Sequence, residues 1–320
     1  MDTATKIWLI LGAILVISGM LLFTVVMTLN HWDFTKLGTV KYVTNTYPIT
    51  EAFTDLSLRV DTGDIVFVPS DAGSCEVVCY EAENVRHSVS VEDGCLTLRV
   101  KDERKWYEHI GINVGSPKIT VTLPRGAYQT LVVEGSTGNV TLPREFEFEQ
   151  MELSISTGNV NTLASVSQAA KIRTSTGDIH VEGIAAGALD LSVTTGKVTV
   201  SKVACTGDVS VRVSTGKASL TEVQCQNLSS TGSTGSLILT RVTATEGFSI
   251  ERSTGDVRFD QCDAGEINVR TETGDVTGSL LSHKTFITET HTGRVSVPKT
   301  TGGRCEITTS TGNIKLTIED

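Results

Sequence analysis

Histidine, cysteine, carboxylate and threonine are the residues of this chain that could act on a ligand, and their spacing assigns most of them to packing. His31, His87, His109, His180, His283 and His291 are scattered, and none has a second histidine or a cysteine at metal-ligand spacing. No phosphate-binding glycine loop, His-Glu-x-x-His, Cys-x-x-Cys or Gly-x-Ser-x-Gly occurs. Asp256 and Asp275 fall on adjacent repeats and could face one Ca²⁺. Such a site needs more oxygen ligands than two, and Arg294, next in that column, is a simpler charge partner. Polysaccharide cleavage would need paired carboxylates beside a sugar-stacking aromatic surface, but aromatics are only 5% of the chain. This reading assigns no catalytic residue, no cofactor and no metal.

What positions these residues is a repeat. Thr-Gly pairs begin at Thr137, Thr157, Thr176, Thr195, Thr215, Thr234, Thr254, Thr273, Thr292 and Thr311, 19 or 20 residues apart. A period near 20 is the mark of a solenoid. With each of these threonines as position zero, position +3 is always apolar, from Val140 to Ile314. In the Thr254 repeat the apolar residues are Val257, Phe259, Cys262, Ala264, Ile267 and Val269, at offsets 3, 5, 8, 10, 13 and 15. Pairs two apart alternate as strands do, and the step of three marks a corner. The glycine permits positive φ at a tight turn. Offset 2 is polar, as in Asn139, Asp178, Lys197 and Asp256, and should face solvent. The threonines could form a ligand-ordering array, but preceding a turn glycine they read better as a corner ladder.

One coil cannot stand alone. Six buried apolar side chains give roughly 9–18 kcal/mol, against about 1–2 kcal/mol per residue of backbone entropy. Backbone hydrogen bonds and neighbouring coils must make up the difference. The expected fold is therefore all-β: a right-handed parallel β-helix of about ten coils, about 45–50 Å long.

Seven cysteines in an exported chain suggest a disulfide framework. Four of them sit in apolar columns instead: Cys205 and Cys225 with Ala186, Ala244 and Ala264; Cys262 with Ile184 and Val203; Cys305 with Leu189 and Ile267. They read as free buried thiols. Cys75, Cys79 and Cys95 precede the repeats and stay open.

Ile7–Leu29 has no charge and spans about 35 Å as a helix, enough for a bilayer. Trp8 and Trp32 bracket it, and no small-x-small cleavage site follows. The expected organisation is a cytoplasmic tail (1–6), a transmembrane anchor (7–29), a linker (30–47), a β-rich amino-terminal cap (48–130) and solenoid repeats (131–320). Within the cap, Leu56–Val60, Asp61-Thr-Gly-Asp64 and Ile65–Val68 resemble one more strand–corner–strand unit, and Asp102–His109 reads as a charged inserted loop or short helix. The net charge of −10 argues against nucleic acid or anionic lipid as partners. The carboxyl end, Ile314–Ile318 followed by Glu319 and Asp320, shows no cap; as an open edge it is the place for self-association.

Ser175-Thr-Gly-Asp-Ile179, Ser253-Thr-Gly-Asp-Val257 and Thr273-Gly-Asp-Val276 resemble the repeated Ser-Thr-Gly-Asp-Val units of a bacterial family named "putative adhesin", a β-strand-repeat domain of unknown function. The resemblance runs from about residue 48 to 320. It implies the fold, an amino-terminal anchor and, by analogy with some relatives, a cell-envelope role; it brings no catalytic residues. The expected protein is non-enzymatic and single-pass in the bacterial cytoplasmic membrane, with its carboxyl domain outside. Its partners would be the bilayer through its helix and a cell-envelope glycan or protein. The alternatives are a scaffold polymer built by stacking coil ends and, third, a polysaccharide-active β-helix enzyme.

Overall fold

The computed structural model describes residues 2–33, 40–71, 73–102 and 115–319. The amino-terminal helix runs Thr3–Leu29, and the Asp2 side chain caps it by accepting from the Thr5 amide at 3.0 Å. Its stretch Thr5–Leu29 is long and apolar enough to cross a membrane, and side chains such as Leu9, Leu15, Leu22 and Leu29 are exposed.

The rest is a β-solenoid whose coils pair in parallel with the columns in register. Thr137 lies beside Thr157, Thr157 beside Thr176, and so on to Thr254 beside Thr273. At each corner the glycine N–H donates to the threonine carbonyl of the next coil at 2.8–3.0 Å. The corner ladder is thus made by peptide groups rather than by the threonine hydroxyls. Gly216 shows why glycine is required: its φ is +137°, and a Cβ there would stand 1.8 Å from the Gly196 carbonyl oxygen. The expected second corner lies at offset 7, where Gly183, Lys202, Glu222, Arg241 and Gln261 all have φ between 51° and 66°.

Offset 3 is buried as expected, at no more than 1% exposure from Val140 to Ile314, except for Val295 at 42%. That exception reveals the stacking order. The Thr273 coil pairs not with the Thr292 coil but with the last one: Ile267 lies beside Cys305 and Thr273 beside Thr311. The Thr292 coil packs outside it, with Thr292 beside Thr311 and Val295 beside Ile314. Gly303–Thr311 of the carboxyl-terminal coil is therefore interior, while Leu316–Ile318 has no strand outside it among the described residues. The open edge consists of Lys284–Thr292, Val295–Ser296 and the end of the last coil, so chain order is not stacking order here.

The amino end shows the same exchange. Asp55–Thr62 pairs with Gly126–Thr137, placing Thr62 beside Thr137 and making the Asp61–Asp64 unit an eleventh corner of the stack. The later strands Cys95–Asp102 and Lys118–Pro124 lie outside it. Antiparallel partners close this end: Val85–Glu92 on Cys95–Asp102, Cys75–Ala82 on Lys118–Pro124, and Tyr42–Ile49 on Cys75–Ala82. The first of these strands begins at Tyr42, inside the stretch expected to be linker. Most of the loop expected at Asp102–His109 lies outside the described residues; Asp102 itself ends a strand.

Candidate functional site

Offset 2 does more than face solvent. Its Asn or Asp oxygen accepts the backbone N–H of the same position one coil on: Asp64 to Asn139, Asn139 to Asn159, Asn159 to Asp178 and Asp178 to Lys197, at 2.8–3.0 Å. Lys197, Lys217 and Ser236 interrupt the series. It resumes from Asp256 to Asp275 at 2.9 Å, Asp275 to Asn313 at 2.7 Å and Asn313 to Arg294 at 3.1 Å. The carboxylates weighed as a Ca²⁺ pair are engaged with backbone amides, and Asn313 separates Asp275 from Arg294. All seven cysteines are free. Burial pushes the Cys225 and Cys305 thiols up to about 12.

Among the described residues two cations are buried in the repeats: Lys284, which pairs with Asp263 at 2.9 Å, and Arg252. Four residues before successive corner threonines the inward residues are Val211, Ser230, Ile250 and Val269; two before, they are Val213, Gly232, Arg252 and Thr271. Arg252 therefore lies between Gly232 and Thr271 in a column that also holds Val193 and Val213, and only 4% of it is exposed. Two neighbouring departures make room. Gly232 vacates the space its guanidinium fills, since a Cβ there would lie 1.7 Å from Nη1. Ser230 Oγ accepts from Nη2 at 2.7 Å. Nε is buried with no partner. Among the described residues no carboxylate comes within 4.0 Å of this guanidinium, and burial lowers it to about 10.

Arg252 lines a surface cleft of about 410 Å³ with Arg212, Arg270, Thr231, Glu251 and Glu272. Arg212 is loosely paired, 3.6 Å from Asp190. The cleft thus sets two exposed arginines, Arg212 and Arg270, and several hydroxyls around the buried Arg252, and no histidine or cysteine lines it. Its glutamates are exposed. This arrangement can bind an anion; it holds no nucleophile paired with a base. Sequence reasoning missed it. The signal was there in the break from Val193 and Val213 to Gly232 and Arg252 in one inward column.

A second group also escaped the sequence reading. Cys79, Glu81 and His87 meet in the amino-terminal cap, all buried. His87 thus has a cysteine beside it across a turn. His180 is a half-buried surface residue 3.3 Å from Glu182, and His291 is exposed beside its corner, as expected.

Comparison with known proteins defines the class. The profile of the Toastrack DUF4097 family matches residues 53–211 and 199–320. The chain belongs to this family, a β-solenoid domain of unknown function. Similar solved structures include a "putative adhesin" from Parabacteroides merdae ATCC 43184, 13% identical over 88% of this chain and 98% of that one, with a TM-score of 0.49. Another "putative adhesin", from Bacteroides fragilis NCTC 9343, is 14% identical over 87% and 97%, with a TM-score of 0.42. A "putative lipid binding protein" from Parabacteroides distasonis ATCC 8503 is 16% identical over 88% and 98%, with a TM-score of 0.45. No curated protein matches the chain.

Proposed function

We propose that this protein is a non-enzymatic, membrane-tethered binding module of the bacterial cell surface. Its helix sits in the cytoplasmic membrane and its solenoid lies outside. The rod holds anionic groups, carboxylate or phosphate, of a cell-envelope glycan or protein in the Arg252 cleft. The observation that carries this reading is Arg252 itself, a core guanidinium given space by Gly232 and left without a carboxylate. An uncompensated buried charge is costly, and such groups cluster where ligands bind. The overall charge of −10 makes the cleft a local exception, which favours a specific anion over general adhesion to polyanions.

The scaffold reading draws support from the open edge formed by Lys284–Thr292 and Val295–Ser296, where Ile287 and Val295 are 49% and 42% exposed. The antiparallel strands at the amino end weaken it, because head-to-tail stacking needs two open parallel ends. The full-length protein in detergent micelles should bind immobilised envelope glycans that carry uronate or phosphodiester groups, with affinity falling as salt rises. Neutral glycans should not bind, and Arg252→Met should abolish binding. Equal retention of neutral and anionic glycans would sink the proposal, as would wild-type binding by Arg252→Met.

A further inference from the structure

Cys79 and Glu81 are two apart on the strand Cys75–Ala82 and therefore share a face. A turn at Glu83-Asn84 leads into Val85–Glu92, which carries His87. One donor atom of each residue lies within 4.8 Å of one from each of the others, and all three side chains are buried. Glu81 Oε2 accepts from the His87 backbone N–H at 2.7 Å and also contacts His87 Nδ1. Glu81 Oε1 accepts from Asn45 Nδ2 at 2.6 Å, and Tyr47 OH donates to the His87 carbonyl at 2.9 Å. Nδ1 is the ring nitrogen held by this carboxylate, which leaves Nε2 as the ring atom that can take a ligand. Nε2 is buried and has no partner. A carboxylate fixing one ring nitrogen while the other keeps its lone pair is the arrangement that presents an imidazole to a metal.

We propose that Cys79 and His87 Nε2 bind one thiophilic cation, Zn²⁺ in the first instance, with Glu81 holding the imidazole by its other nitrogen. Sulfur and imidazole donors select such an ion over Ca²⁺ or Mg²⁺. At tetrahedral angles the zinc–sulfur and zinc–nitrogen bonds set their donors about 3.6 Å apart, so a cluster within 4.8 Å has to contract by about 1 Å at most to close on an ion. On binding, the thiol proton of Cys79 passes to solvent and the thiolate bonds the metal. The ion would tie Cys75–Ala82 to Val85–Glu92, consecutive strands that pair with other partners, at the amino end of the solenoid. Tyr42–Ile49 already touches both, through Asn45 on Glu81 and Tyr47 on His87.

The test uses the full-length protein in detergent micelles, stripped with a chelator and dialysed. Titration with Co²⁺ should give a thiolate-to-cobalt absorption band saturating at one equivalent. Zn²⁺ should abolish the band, Ca²⁺ should leave it unchanged, and Zn²⁺ should raise the melting temperature. Cys79→Ser, a near-isosteric change, should remove the band, and Glu81→Gln should weaken binding about 10–100-fold. Cys75→Ala and Cys95→Ala should keep it. The absence of Co²⁺ and Zn²⁺ uptake by the wild type would overturn the proposal. So would a band that survives in Cys79→Ser, or one lost with Cys75 or Cys95.

Discussion

Replacing the charge at Arg252 by hydrocarbon should make the protein more stable while removing its anion site. Burial pushes this guanidinium down to about 10, well below the usual arginine range. At about 1.36 kcal/mol per tenfold, keeping the charge inside costs about 3 kcal/mol at neutral pH. The folded state penalises the cation, so the cost is fully present below about pH 10 and fades as pH rises above it. The bond to Ser230 Oγ returns about 1.5–3 kcal/mol of it. Arg252→Ala would therefore gain little, because it leaves the Ser230 hydroxyl buried and unpaired and opens a void above Gly232. Ser230→Val with Arg252→Leu removes the charge and the orphaned hydroxyl together, matches Val211 alongside and keeps Gly232 free of contact. The double variant should gain about 1–3 kcal/mol, as replacing a buried charge network by apolar side chains often does. For a domain of this size that is a rise of several degrees in Tm. Thermal melting at pH 7 and anionic-glycan binding are to be measured on the same samples. The reasoning fails if the double variant melts below wild type, or if it melts higher yet binds the glycan as before.

Three further outcomes follow from the ladders and the core. Gly216→Ala should cost at least about 3 kcal/mol, because its Cβ meets the Gly196 carbonyl at positive φ; Gly183→Ala, with φ +66° but nothing within 4 Å, should cost only about 1 kcal/mol, and equal melting shifts would contradict the corner geometry. Val257→Asp should cost several kcal/mol by burying an unpaired charge; Asp256→Asn should be near neutral because the amide oxygen can still accept from Asp275 N–H, while Asp256→Ala should lose about 1 kcal/mol, all read by thermal denaturation. With burial holding Cys225 and Cys305 at about 12, roughly one thiol in 10,000 is ionised at pH 8, so both should resist alkylation in the folded protein and react on denaturation; rapid native labelling of either would place it outside the core.

The amino-acid sequence by itself determined the repeating unit. A 19–20-residue period, inward columns at fixed offsets and a glycine after each corner threonine are properties of one coil and its copies, so they can be read along the chain. The burial of offset 3 and a second corner between offsets 5 and 8 follow from that pattern; the left-handed backbone there does not, since Lys202, Glu222, Arg241 and Gln261 occupy it. The apolar helix is legible in the sequence too, because its length and composition are local.

Tertiary structure alone decided the order in which the coils stack. Each coil presents nearly the same peptide ladder to its neighbours, so a strand from Thr311 can pair with Thr273 as well as one from Thr292 can. What selects between them is how the chain packs at the two ends, where Thr62 slips inside and Val295 is left half-exposed. The sites lay beyond the repeat for the same reason. Arg252 matters because Gly232, 20 residues away, leaves it space, and Cys79, Glu81 and His87 meet only where two antiparallel capping strands adjoin at the end of the stack. Periodicity records what every coil shares, whereas a site is built from the few residues that depart from it and come together only in space.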